Sequence, residues 1–203
     1  NSILYDFVAD SDVLAMCFSG INLDLESPPP FEFSGVLRSF NVRKMYVRDC
    51  ENYSYHNGLK NLSSNIVESI DVIKKLIEKS GCSRVVAIGN CQGGYSAIFF
   101  GAMLNLDLVI TFSPITYLDP ENRKRYNEQR WIEGFERVYS GSRTSPQYFD
   151  LSTVKETSEV PIIIYCDLTY DPDKNFTEHF MKGKSNVTLF GRSGHEHFLA
   201  KEL

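Results

Sequence analysis

The sequence predicts an α/β fold with a mostly parallel central sheet, helices on both of its faces and a small helical lid segment. Apolar, strand-like runs alternate with segments of helical periodicity along the 203 residues, and this alternation is typical of a covered parallel sheet. The length suits one domain with a sizeable core, and no repeat or linker divides the chain. We therefore expect a single domain over residues 1–203, with residues 115–158 (the lid segment) as a possible insertion.

The first half of the chain supplies four predicted strands. Residues 12–19 form a buried apolar run that ends at Gly20, and residues 4–8 are expected to pair beside it. Residues 44–47 follow a proline-rich loop, and residues 84–88 form the central strand.

One amphipathic helix precedes the central strand. Within residues 64–79 the apolar positions recur three or four apart, which predicts a helix that buries one face. Gly81 supplies the stop signal at its C-terminus. The apolar positions are Ile66, Ile70, Ile73 and Ile77.

The second half continues the alternation. Residues 108–112, 160–166 and 187–190 are apolar runs that predict three further strands. A helix is expected within residues 121–139 of the lid segment, and residues 198–203 are expected to begin a terminal helix.

Composition and charge exclude several classes of function. The net charge is −5 and no stripe of Lys or Arg is present, which argues against a nucleic-acid partner. No apolar run has the length of a membrane span. The cysteines are odd in number and scattered, which favours reduced thiols and a cytoplasmic location. They are Cys17, Cys50, Cys82, Cys91 and Cys166.

Residues 89–94 read Gly-Asn-Cys-Gln-Gly-Gly and lie between the central strand and an apolar, helix-like segment. This is the strand–turn–helix setting of the G-x-S-x-G nucleophile elbow, with cysteine in place of serine. Glycines two residues before and after the nucleophile allow the strand and the helix to pass closely. The N-terminus of a helix favours negative charge and therefore a thiolate. Cys91 is the candidate nucleophile; the alternative is a small buried residue in an ordinary turn.

Carboxylates follow the predicted strand 160–166, where such a nucleophile requires an acid. Asp167, Asp171 and Asp173 lie within seven residues, at the carboxyl edge of the sheet where reactive groups gather. We favour Asp171, which lies in an Asp-Pro turn, although all three could instead be solvated turn residues.

Two histidines follow the last predicted strand and complete the order nucleophile, acid, histidine. His195 follows a Gly-x-x-Gly turn, and His197 directly precedes the terminal apolar segment. We favour His197 as the base and keep His195 as the alternative. A His-x-His pair alone is a weak ligand set, so no metal site is expected.

The remaining site residues are expected around the elbow. Backbone N–H groups of Gln92 and Ile21 are the candidate oxyanion donors, one after the nucleophile and one at an early strand–loop junction. Gly20, Tyr117 and Trp131 are candidate substrate-binding residues. The aromatic residues of the lid segment could cap an organic substrate or only pack a helix onto the sheet.

The whole chain resembles the α/β-hydrolase superfamily, on the elbow, the Val-Arg-Asp near residue 49 and Thr-Phe-Ser-Pro-Ile-Thr-Tyr-Leu-Asp-Pro at residues 111–120. These segments are similar to a bacterial hydrolase-like group that carries serine at the elbow. The cysteine version resembles dienelactone hydrolases and some thioesterase domains. His197 and the two residues after it are weakly similar to the histidine segment of type II thioesterases.

The residues and the resemblance together predict an enzyme that transfers or hydrolyses an acyl group through a covalent thioester at Cys91. The expected substrate is a small-molecule or carrier-bound ester, thioester or lactone, and no cofactor is expected. A non-catalytic binding module on the same scaffold and a peptide-acting protease or transferase are the alternatives.

Overall fold

A computed structural model describes residues 1–22, 24–194 and 196–197. Two expectations lie outside these residues: the alternative base His195 and the terminal helix over residues 198–203. No helix in the described part of the chain combines the length and the apolar character needed to cross a membrane.

In the described part of the chain, seven strands form one sheet in the order β1-β3-β2-β4-β5-β6-β7, and every neighbouring pair except β1 and β3 is parallel. The predicted strands are all present, most of them longer or shifted by one or two residues. The bounds are β1 Ile3–Asp6, β2 Val13–Phe18, β3 Arg43–Val47, β4 Arg84–Asn90, β5 Leu108–Phe112, β6 Ile162–Asp167 and β7 Val187–Arg192.

The position of β1 differs from the expectation that it would lie beside β2. It pairs antiparallel with β3, with Ile3 opposite Val47. Both edges of β2 are already used by β3 and β4, so the N-terminal strand is left with the outer edge of the sheet.

Among the described residues, five α-helices connect the strands: α1 Ile66–Ser80, α2 Gln92–Met103, α3 Pro120–Arg125, α4 Ile132–Ser140 and α5 Asp171–Met181. The helix α1 ends as predicted, because Gly81 adopts a left-handed conformation (φ 67°) that stops the helix. The single helix expected within residues 121–139 is two helices. Asn127 and Trp131 between them have positive φ, which an α-helix does not allow.

The sheet separates two hydrophobic clusters because side chains alternate along each strand. In β2, Leu14, Met16 and Phe18 point into the larger cluster, which also contains residues of α1, α2, α5 and the lid segment. Ala15 and Cys17 point to the opposite face. There they pack with a smaller cluster that includes Leu37 of the short 3-10 helix Val36–Ser39.

The turn from β4 into α2 is tightly packed. A Cβ atom on Gly93 would overlap the backbone carbonyl of Phe18, and one on Gly89 would overlap the backbone of Gly93 itself. The close passage that the spacing of the glycines predicted is therefore required by the packing of β2, β4 and α2.

We expect Gly93→Ala to lower the free energy of unfolding by about 2–3 kcal/mol, because backbone cannot move aside as a flexible side chain can. Gly35→Ala is the matched control. A Cβ there meets nothing within 4 Å and φ is −68°, so its effect stays below about 1 kcal/mol. Urea unfolding of both variants measures the difference, and equal stabilities would contradict the packing argument.

Candidate active site

Cys91 adopts a backbone conformation that few residues other than glycine occupy, with φ 55° and ψ −120°. Such a conformation costs about 1–3 kcal/mol and persists only where its surroundings fix it. Here the Cys91 N–H donates to the carbonyl of Phe112 at 3.0 Å, and the Cys91 carbonyl accepts from the N–H of Ile115 at 3.0 Å. The segment that ends β5 therefore fixes the turn on both sides of the sulfur.

His197 lies between the thiol and a buried carboxylate. Its Nδ1 is 2.9 and 2.8 Å from the two carboxylate oxygens of Asp173. The thiol of Cys91 also interacts with the His197 ring. Asp173 itself is only 1% exposed, which makes its hydrogen-bond partners energetically important.

The partner of the histidine is Asp173 and not Asp171, which the sequence analysis favoured. Asp171 is the first residue of α5 and is exposed. Two residues further along a helix, a side chain points about 200° away, so Asp173 faces the interior when Asp171 faces solvent. This geometry corrects the expectation for Asp171.

Asp167 has a different place in the site. It is fully buried at the end of β6, accepts the N–H and hydroxyl of Thr169, and accepts the N–H of Glu196 at 2.8 Å. This carboxylate therefore tethers the loop that carries His197.

The pKa of His197 is set by opposing effects. Burial alone would lower it, but hydrogen bonds to Asp173 and Cys91 and the charges of both groups outweigh burial and raise the pKa to about 9. Burial likewise raises the pKa of Asp173, yet His197 and Arg130 outweigh it and hold that pKa below its usual range. The cluster thus favours an imidazolium at His197 beside an ionised Asp173.

The two predicted oxyanion donors lie on adjacent parts of the site. Gln92 is the first residue of α2, so its N–H has no partner within the helix. Within the described ranges no hydrogen bond is recorded for the N–H of Gln92 or of Ile21. Gly20, next to Ile21, lies so close to the elbow that a Cβ on it would be 3.8 Å from the Cβ of Cys91.

A pocket of about 300 Å³ opens beside these residues. Its walls are Ile21, Asn22 and Leu25 on one side and Gln129, Trp131 and Ile132 on the other. A narrow cleft shares Ile21 and Trp131 with this pocket and reaches Gln92. The pocket therefore leads from the lid segment to the residue that follows Cys91.

The two aromatic residues proposed to bind substrate have different surroundings. Trp131 lines the pocket and packs against the ring of His197, with 4.8 Å between ring centroids. Tyr117 is fully buried and packs on Phe176 at 4.2 Å. This corrects the expectation for Tyr117, whose ring belongs to the core.

Sequence reasoning missed three charged residues around the site. Arg130 and Glu128 of the lid segment form ion pairs that include Asp173. Glu32 accepts a hydrogen bond from the backbone N–H of Gly20, and burial raises the pKa of the Glu32 carboxyl to about 7. None belongs to a recognisable motif, and charged residues in a polar segment are normally read as solvent-exposed.

Solved structures resemble the chain throughout its length. The Glycosylation Associate Protein (Gap123) complex from Streptococcus agalactiae matches with a TM-score of 0.69 and 20% identity over 98% of this chain. A capsule O-acetyltransferase of Neisseria meningitidis serogroup A, in complex with CoA, matches with a TM-score of 0.66 and 14% identity over 95% of this chain. The serine hydrolase FphF of Staphylococcus aureus matches with a TM-score of 0.59 and 14% identity over 96% of this chain.

These likenesses identify the fold. The chain has an α/β-hydrolase fold. It spans 41% of the streptococcal chain, 83% of the O-acetyltransferase and 81% of FphF. No protein-family model matches the sequence, and no curated protein matches it.

We expect the imidazole of His197 to titrate near pH 9 in the wild-type protein. In Asp173→Asn the midpoint falls, because the main group that stabilises the imidazolium is lost while burial remains. NMR titration of ¹³C-labelled histidine measures both, with Asp171→Asn as the control that leaves the midpoint in place. A wild-type midpoint at or below 6.5 would contradict the arrangement.

The raised pKa of His197 also predicts how the stability of the protein changes with pH. Since the folded pKa of His197 lies above its ordinary value of 6.5, the paired imidazolium contributes fully below that pH. The contribution is lost as the pH rises through about 9. The unfolding free-energy difference between wild type and His197→Gln should therefore shrink over this range.

Proposed function

We propose that the chain is an acyl hydrolase or acyltransferase that forms a covalent thioester at Cys91. The observation that carries this proposal is the cluster at the carboxyl edge of the sheet, in which Asp173 hydrogen-bonds His197 and His197 interacts with the thiol. The chain shares its fold with a carboxylesterase, a serine hydrolase and an O-acetyltransferase, and this likeness supports the same class of chemistry.

In the proposed first step, the Cys91 thiolate attacks the carbonyl carbon of the substrate and a C–S bond forms. The carbonyl oxygen becomes an oxyanion, and the N–H groups of Gln92 and Ile21 are the proposed donors that stabilise it. As the intermediate collapses, the bond to the leaving group breaks and His197 donates its proton to that group. Asp173 stabilises the imidazolium and holds the ring orientation.

In the second step, a water molecule or an acceptor hydroxyl attacks the acyl-thioester. His197, now neutral, takes the proton of the attacking oxygen, and a new C–O bond forms. The C–S bond then breaks, the sulfur leaves as the thiolate, and the imidazolium is restored. Hydrolysis and transfer differ only in the nucleophile of this step.

A thioester is the donor that best suits a cysteine nucleophile. Exchange between a thioester and a thiolate is nearly balanced in energy, because a C–S bond forms as another breaks. The similar O-acetyltransferase is described in complex with CoA, and we extend a carrier-bound thioester donor to this chain. The pocket of about 300 Å³ is at the lower end of ligand-site sizes, which favours a short acyl group.

Incubation with short-chain acyl-CoA should add one acyl group to the intact protein, and peptide mapping should place it on Cys91. Cys91→Ala should abolish both the adduct and the release of CoA. Cys82→Ala is the matched control, because Cys82 is a free thiol just before β4, at the opposite edge of the sheet. An adduct that persists in Cys91→Ala would refute the nucleophile, and absence of any adduct or turnover across thioesters, esters, lactones and peptides would favour a binding module.

The acid can be tested separately. Asp173→Asn should lower kcat by about 10⁴-fold, because the amide favours the wrong imidazole tautomer and cannot stabilise the imidazolium. Asp171→Asn should leave kcat within about 2-fold, since surface substitutions away from a site have small effects. Steady-state hydrolysis of the same acyl-CoA measures both, and the reverse ranking would restore Asp171 as the acid.

A further inference from the structure

The acid Asp173 has a second partner, which lies in the lid segment. Nη1 of Arg130 is 2.9 Å from Oδ1 of Asp173. The remaining side of the same guanidinium contacts Glu128, with Nη2 at 2.6 Å from Oε2 and Nε at 3.0 Å from Oε1. Arg130 therefore bridges two carboxylates, one of which touches the histidine.

Both carboxylates that Arg130 bridges are buried. Glu128 is 5% exposed and Asp173 1% exposed, so neither carboxylate can rely on water to stabilise its charge. From Glu128 through Arg130 and Asp173 to His197 the charges alternate in sign. Each group thus compensates its neighbours, and the imidazolium stands at the end that faces Cys91.

Arg130 is also fixed against rotation. Its guanidinium lies over the ring of Trp131, 4.4 Å from the centroid, and near the ring of Tyr170 at 5.3 Å. Trp131 in turn packs on His197 at 4.8 Å. Two consecutive residues of the lid segment therefore contact Asp173 and His197, which are the acid and the base of the proposed catalytic triad.

We propose that Arg130 is a positioning residue of this triad, which holds the Asp173 carboxylate in the orientation that directs His197 toward Cys91. The proposal rests on the proposed function. A carboxylate whose oxygens both face Nδ1 can rotate about its last bond, and a fixed donor on Oδ1 removes that freedom. A misplacement of about 1 Å in such a group can cost 10²-fold in rate.

Arg130→Gln should lower kcat for acyl-CoA hydrolysis by about 10²-fold with KM changed less than about 3-fold, because orientation and not binding is lost. Arg130→Lys keeps the positive charge but not the planar guanidinium that contacts both carboxylates, and it should recover part of the rate. The second readout is the low-field proton resonance of the His197 Nδ1–H, assigned by its loss in His197→Gln. It should persist in Arg130→Lys and broaden or vanish in Arg130→Gln.

Arg125→Gln is the matched control, since it removes one guanidinium from an exposed position of the same segment. It should keep the wild-type rate and resonance. If Arg130→Gln does not fold, the double variant Glu128→Gln/Arg130→Met replaces it, because removing a buried pair together leaves no unpaired charge from the pair. The same loss of rate and resonance is expected.

A variant that lacks the bridge but keeps either the wild-type kcat or the wild-type resonance overturns the proposal. Cys91→Ala separates this failure from that of the proposed function. If Cys91→Ala is inactive and Arg130→Gln matches the wild type, only the role of Arg130 fails. If Cys91→Ala hydrolyses acyl-CoA at the wild-type rate, the proposed function fails.

Discussion

The strained turn at Cys91 is the constraint on which the rest of the site depends. Its φ of 55° and ψ of −120° are held by hydrogen bonds to the end of β5 and by glycines that let α2 pass against β2. The turn fixes the sulfur at the carboxyl edge of a parallel sheet. The parallel strands β6 and β7 end at the same edge and the loops after them begin there, so residues distant in sequence can reach the sulfur.

Features with a local signal were predictable from the sequence. The helix α1 follows from apolar spacing and from the left-handed Gly81 that stops it. The elbow follows from the spacing of Gly89 and Gly93 around Cys91, since a Cβ at either glycine would overlap backbone. These signals act over a few residues, so an isolated sequence carries them completely.

Features that depend on long-range register were not predictable. Asp171 and Asp173 are equivalent in a list of acidic residues, and only the start of α5 at Asp171 turns the second inward and leaves the first exposed. Tyr117 lies in an aromatic-rich stretch, yet Phe176 from α5 buries it. The position of β1 was equally hidden, because edge occupancy is a property of the whole sheet.

The ion pairs of Arg130 change how the lid segment is understood. A cap that only covered substrate would contribute apolar side chains, as Trp131 and Ile132 do at the pocket. His197 and, from this segment, Arg130 offset the burial of Asp173, which would otherwise raise the pKa of that carboxyl and favour the neutral acid. A neutral Asp173 could not stabilise an imidazolium. Arg130, which compensates Asp173, is thus followed directly in the chain by Trp131 and Ile132, which line the pocket. A movement of this part of the lid segment would therefore change both the pocket wall and the surroundings of Asp173.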